Sequence, residues 1–202
     1  MAEALIRALI AAANQAVAAH RDELSGLDRA IGDGDHGHNM ARGFGAIAEA
    51  ADEIAALPFG KALQKAGMTL VMKVGGASGP LYGTLLMAMG KTGDEAPGTV
   101  ADAAAALEAG IAAVKQRGKS DVGAKTMLDV LAPVAEALRA APPDPRAAAR
   151  AAADEGLAAT RDMRATKGRA AFLGERSVGH LDPGARSSAL LVHAVCDVLE
   201  KQ

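Results

Sequence analysis

Apolar residues recur three and four positions apart along most of the chain and almost nowhere in strict alternation, the signature of amphipathic helices. Leu5, Ile6, Leu9, Ile10, Ala13, Ala16 and Val17 form the first stripe and predict a helix over residues 3–25. The same period predicts helices over 38–56, ending near Pro58, and over 59–72, where Leu63, Ala66, Leu70 and Val71 share a face. Helices are expected again over 81–89 and 99–117, the latter closed by Gly118 as a C-terminal cap. Residues 127–140 read as a helix capped by Thr126 and kinked at Pro133, and 146–164 as another. Asp182 caps the last helix, with Pro183 at its first position and Leu191, Val195, Val198 and Leu199 continuing it. Eight helices and no strand predict an all-α fold, an antiparallel bundle or helical barrel.

Between these stripes the chain breaks at glycine-rich stretches. They are Ile31-Gly32-Asp33-Gly34-Asp35-His36-Gly37, Val74-Gly75-Gly76-Ala77-Ser78-Gly79-Pro80, residues 118–125 and the long stretch 166–184. A loop as long as the last is usually functional in a compact domain. The sequence shows no repeat, and the proline-rich residues 142–145 separate no two halves that could each build a core, so a single domain over 1–202 is expected. Aromatic residues make up 2% of the chain, so the core must be built from Ala, Leu, Val, Ile and Met, and the helices must approach closely. A formal charge of −2 offers no footprint for nucleic acid or an anionic membrane. Cys196 is the only cysteine, which excludes an internal disulfide and points to a reducing, cytoplasmic setting. The N-terminus carries Glu3, Arg7, Asn14 and Gln15 within its apolar pattern, unlike a signal peptide, and no later run is long enough to span a membrane.

The candidate chemistry lies in the first break. Asp28, Asp33 and Asp35 fall within eight positions, and crowded carboxylates repel unless a cation sits among them. A hard divalent ion, Mg²⁺ or Ca²⁺, suits such oxygen donors. On a helix Asp28 and Asp33 would face different ways, so the loop is expected to contain both. A calcium-binding EF-hand is excluded, because counting from Asp33 its fifth position is Gly37 and its twelfth is Phe44. A solvated Asp-Gly turn is the plainer alternative, but His36 and Asn39 beside three carboxylates favour a metal site. The carboxylate-rich donor set prefers a hard ion to zinc, so His36 and His38 are read as phosphate donors or loop-ordering residues. His20 and His193, on helices, are read as structural, and Cys196 as core.

Three other glycine motifs fail as phosphate loops. Gly90-Lys91-Thr92 and Gly118-Lys119-Ser120 lack the upstream glycine, whose positions hold Leu85 and Ala113. No strand precedes Gly43-Phe44-Gly45-Ala46-Ile47-Ala48, as a dinucleotide fingerprint requires. The 75–80 stretch is different: small residues there open the way to backbone N–H groups, Ser78 adds a hydroxyl, and a helix start follows, although taken alone it reads equally as an ordinary inter-helix turn. Arg169 and Arg176 stand in a glycine-punctuated loop, from which arginines can clamp phosphate oxygens; a solvated surface loop is the plainer alternative. No nucleophile–base arrangement for covalent catalysis is evident.

These same stretches, namely Leu27-Asp28 with residues 31–40, Gly75 through Gly83, and Gly168-Arg169-Ala170 through Gly184, resemble the nucleotide-binding L subunits of dihydroxyacetone kinases, in order and over almost the whole chain. The resemblance implies an eight-helix antiparallel barrel with nucleotide at one end. It implies that Asp28, Asp33 and Asp35 hold two Mg²⁺ ions bridging the phosphates of ADP or ATP. By the same carry-over, His36, Gly37, His38, Asn39, Ala77 and Ser78 line the phosphates and nucleotide, Ala77 through its backbone alone. Gly118 and Met127 lie on the adenine side, Arg169 assists at the transferred phosphate, and Asp182, Pro183 and Gly184 complete the pocket. The resemblance further implies that dihydroxyacetone sits on a separate K subunit and that, in phosphotransferase-dependent members, an M subunit rephosphorylates bound ADP. Phosphoryl transfer needs positioning and charge neutralisation more than covalent chemistry, which agrees with the residues themselves. The alternatives are a kinase subunit for another small keto-sugar, triose or fatty acid, and a nucleotide-binding regulatory module without turnover.

Overall fold

The computed structural model describes residues 2–201, which form ten α-helices and one 3-10 helix, with no strand among the described residues. The α-helices are α1 (Ala2–Ala19), α2 (Arg21–Ile31), α3 (His36–Glu49), α4 (Ala51–Ala55), α5 (Phe59–Lys73), α6 (Ser78–Met89), α7 (Val100–Gly118), α8 (Leu128–Arg139), α9 (Pro145–Ala159) and α10 (Pro183–Leu199). The 3-10 helix, Arg169–Ser177, lies between the last two.

The predicted helical barrel is borne out by eight of these. Each of α1, α3, α5, α6, α7, α8, α9 and α10 packs on the next, and α10 returns to α1, closing a ring. The breaks after α2, α5, α7 and α9 meet at one end, so ring neighbours run antiparallel. The remaining helices are where the structure departs from the expected eight. The first stripe is two helices, because His20 leaves the helical region at φ −109°, ψ 15° and its ring nitrogen bonds the carbonyl of Ala16 at 2.8 Å. A similar step at Ala50 (φ −95°, ψ 14°) separates α4 from α3. The long 166–184 stretch contains the 3-10 helix. Helix α8 continues through Pro133 to Arg139, so the expected kink does not end it.

The ring closes around Ile6, Val17, Met40, Leu70, Tyr82, Val114, Leu128 and their neighbours, all buried. Small residues let helices touch through their backbones: a Cβ on Gly67 of α5 would lie 2.7 Å from the Gly83 carbonyl of α6. That is how a core almost free of aromatics reaches native density. Among the described residues α1 is the one helix long and apolar enough to cross a membrane. Here it packs on α3 and α10, and Arg7 pairs with Glu3 and Asp52.

Candidate functional site

The carboxylates come together, though not as the spacing suggested. Asp28 is in the last turn of α2, not in the loop, and Asp33 and Asp35 follow in the four-residue turn to α3. The helix ends at Gly32 and the chain folds back, so one carboxylate oxygen from each of the three residues lies within 4.8 Å of the other two. Gly32 is required there, since a Cβ would lie 2.2 Å from Asp28 Oδ1. Gly34 sits at φ 79°, where L side chains are strained. Asp28 is buried and accepts the backbone amide of His36 at 3.1 Å; Asp33 and Asp35 are exposed. Burial pushes the Asp28 carboxyl above the usual carboxylate range, its bond from the His36 amide opposes the rise, and the charges of Asp33 and Asp35 add to it. Arg169, at the start of the 3-10 helix, reaches across to Asp33 at 2.9 Å. The segment carrying it is seated by Ala165, Ala170 and Leu173 against Ile31 of α2.

Three helix starts converge behind this cluster. His36 opens α3, and its buried ring bonds Ser78 Oγ, the first residue of α6, and Ser187 Oγ, in the second turn of α10, each at 2.9 Å. Tyr82 Oη completes the network, 2.7 Å from both Ser187 Oγ and Ser188 Oγ and donating to the Gly184 carbonyl at 3.1 Å. Both His36 nitrogens are therefore engaged within the protein. The first-turn N–H groups of α3 and α6 lack partners within their helices, and the positive ends of these helix dipoles favour anions. His38 is exposed, with Nδ1 2.9 Å from Ser25 Oγ. Gly37 is buried against α2, where a Cβ would lie 1.9 Å from the Arg21 carbonyl. Asn39 is buried and accepts from Arg42 at 2.7 Å, while Arg42 also donates to the Lys73 carbonyl, tying α3 to the end of α5. Ala77 is exposed just before α6.

The other two breaks form the far side. Gly118 ends α7; Met127, just before α8, is buried in the core beside Gly184. Between them Asp129 holds the turn by accepting the amides of Gly123 and Thr126. A cleft of about 440 Å³ opens there, lined by residues 119–124 with Lys115, Thr166 and Lys167, two positions from Arg169. Asp182 caps α10 by accepting the Ala185 amide at 2.7 Å, with Pro183 buried behind it. Sequence reasoning missed Tyr82, Ser187, Ser188, Lys125 and Asp129. The adjacent serines, buried on the inward face of α10, were the one legible signal among them.

Two buried groups give this end an internal pH balance. Burial pushes Asp182 up to about 7, and pushes His36 down to about 4. Folded protein thus keeps a proton on Asp182 that the unfolded chain loses above the ordinary carboxylate pKa, so this term of stability falls as pH rises through about 7. His36 has the opposite sign: the unfolded chain takes up a proton near pH 6.5 that the folded one refuses until about 4, so stability falls as pH drops. Each slope is about 1.4 kcal/mol per pH unit, and they offset one another over the shared window. In EDTA-containing buffer, the stability of Asp182→Asn relative to wild type should climb between pH 4 and 7. That of His36→Gln should decline between 4 and 6.5. Urea unfolding at several pH values measures both, and pH-independent differences would contradict the assignment.

The DAK2 domain family model matches residues 30–197. The chain is 49% identical over 172 residues to the "PEP-dependent dihydroxyacetone kinase 1, ADP-binding subunit DhaL" of Listeria innocua serovar 6a, covering 85% of this chain and 84% of that one. It is 40% identical over 186 residues to the "PTS-dependent dihydroxyacetone kinase, ADP-binding subunit DhaL" of Lactococcus lactis subsp. lactis, 92% of each chain. A solved structure of the C. freundii dihydroxyacetone kinase, in complex with AMP-PNP and Mg²⁺, superposes with TM-score 0.78 at 27% identity; it covers 96% of this chain and 34% of that longer one.

Proposed function

We propose that this chain, which belongs to the DAK2 domain family, is the nucleotide-binding subunit of a dihydroxyacetone kinase, a phosphotransferase that works with a partner subunit. The observation that carries the reading is the meeting of Asp28, Asp33 and Asp35 oxygens within 4.8 Å, with Arg169 against Asp33. Three hard, closely set oxygen donors fit Mg²⁺ and fit softer metals poorly. When bound, two Mg²⁺ ions would neutralise phosphate charge and fix the transferred group in line. The chain's own residues do the rest. Main-chain N–H groups at the starts of α3 and α6, including those of Gly37, His38 and Ser78, donate to phosphate oxygens. His36 sets the spacing between the two helix starts by binding Ser78 and Ser187. Asn39 and Ala77 border the same entrance, and Gly118, Met127, Asp182, Pro183 and Gly184 enclose the nucleoside end near the 119–124 cleft. Arg169 stabilises the charge that develops as phosphate leaves.

The likeness to subunits of dihydroxyacetone kinases supports an acceptor, dihydroxyacetone, held on a separate K subunit that docks at this end. Names of the similar Listeria and Lactococcus proteins, PEP- and PTS-dependent ADP-binding subunits, support a cycle in which ADP remains on this chain and an M subunit rephosphorylates it. The whole chain acts as one nucleotide-binding unit in the cytoplasm. Reconstitution tests this. The purified chain is expected to carry ADP and to support dihydroxyacetone phosphorylation only when K subunit and phosphotransferase components are both added. Turnover without the K subunit, or none with every component present, would overturn the proposal.

A further inference from the structure

Lys125 is the largest fully buried side chain of the protein, 1% exposed, and its backbone sits at φ 63°, a region that non-glycine residues occupy at a cost. Among the described residues no carboxylate lies within ion-pair distance of it. Its ammonium instead donates to two main-chain carbonyls, Met163 at 3.0 Å and Ser177 at 2.5 Å. These carbonyls bracket the segment that carries Arg169. Burying an ammonium is costly unless hydrogen bonds compensate it, and charge-assisted bonds to carbonyls are among the stronger ones. The segment is also held by the packing of Ala165, Ala170 and Leu173 on Ile31 and by the Arg164–Glu175 ion pair at 3.1 Å. Ser177 Oγ accepts the Ala165 amide at 2.9 Å and donates to the Gly174 carbonyl at 2.7 Å, and the Thr166 amide donates to Ala124, the residue before Lys125. Lys125 does not line the adjoining cleft.

We infer that Lys125 is a positioning residue: it ties both ends of the 163–177 segment to the 119–127 turn and thereby holds Arg169 over the carboxylate cluster. The inference rests on the role proposed above for Arg169. A guanidinium displaced by an ångström loses most of its effect on a reacting phosphate, so the latch acts on turnover more than on binding. It also couples the turn beside the nucleoside to the arginine at the phosphate.

The test uses Lys125→Met, a neutral side chain of similar shape without the donor, and Lys125→Gln, which keeps a neutral donor nitrogen on a slightly shorter stem. Both are assayed with the complete reconstituted kinase and by hydrogen exchange. Lys125→Met should lower kcat about tenfold or more while changing the Mg-ADP Kd by less than about threefold. Amides of 164–179 should exchange about tenfold faster, with those of the ring helices unchanged. Lys125→Gln should fall between Lys125→Met and wild type. Combined with Arg169→Ala, Lys125→Met should slow turnover no further. Wild-type turnover and exchange in Lys125→Met, multiplicative losses in the double variant, or failure of both single variants to fold would each overturn the latch. Undiminished turnover in Arg169→Ala would instead overturn the role of Arg169, and the latch with it.

Discussion

Replacing either Asp33 or Asp35 with Ala is expected to abolish Mg-dependent nucleotide binding, weakening Mg-ADP by at least about 100-fold and leaving helical content unchanged. The separation of these effects follows from where the residues sit. Both are exposed in the turn between α2 and α3, and neither supports the core. Their loss removes an oxygen ligand without opening a cavity. Asp28 would not separate the two effects so cleanly, because it is buried and holds the His36 amide at 3.1 Å. An exposed acid elsewhere, Asp52→Ala, is the control and should bind as wild type does. Isothermal titration of each variant with ADP in Mg²⁺ reads the effect directly. Wild-type affinity in either Asp variant would remove the metal from this loop.

The second large effect is on the rate. Arg169→Ala should reduce kcat in the reconstituted kinase by about 10²–10³-fold, the range for losing one preorganised charge at a developing anion. The Mg-ADP Kd should change far less, since the three carboxylates and the helix starts remain. Arg169→Lys should recover little, because an ammonium cannot present the planar fork of a guanidinium. The Asp33 pair at 2.9 Å is exposed, so its loss should barely touch stability. Steady-state kinetics with the K subunit saturating separates the two parameters, and an unchanged kcat would contradict the role.

The helical ring was legible because its signal is local: a 3.6-residue apolar stripe is written within each helix. Glycine-rich breaks were equally plain, and the structure gathers all four at one end. Features that depend on a single residue's backbone were not legible. Nothing in the apolar pattern marks His20 as the step between α1 and α2, because that step comes from one ring bonding one carbonyl. Asp28 was expected in the loop on helical spacing alone. Spacing on a continuous helix does not apply once the chain turns back at Gly32. The buried network was out of reach for a different reason. His36 and Ser187 are 151 positions apart, and only the closing of α10 onto α1 and α2 brings them together. Lys125 ends the 118–125 break, and nothing in the pattern sets it apart there. Its burial follows from a left-handed backbone that points the stem inward, and sequence patterns carry no sign of that.

The central claim is that the Asp28, Asp33 and Asp35 cluster binds nucleotide through Mg²⁺. Its most direct test is calorimetric titration of ADP into wild-type protein stripped of nucleotide, once with Mg²⁺ and once with EDTA. One nucleotide is expected to bind per chain in Mg²⁺, with an affinity at least about 100-fold weaker in EDTA. Equal affinity under the two conditions would contradict it.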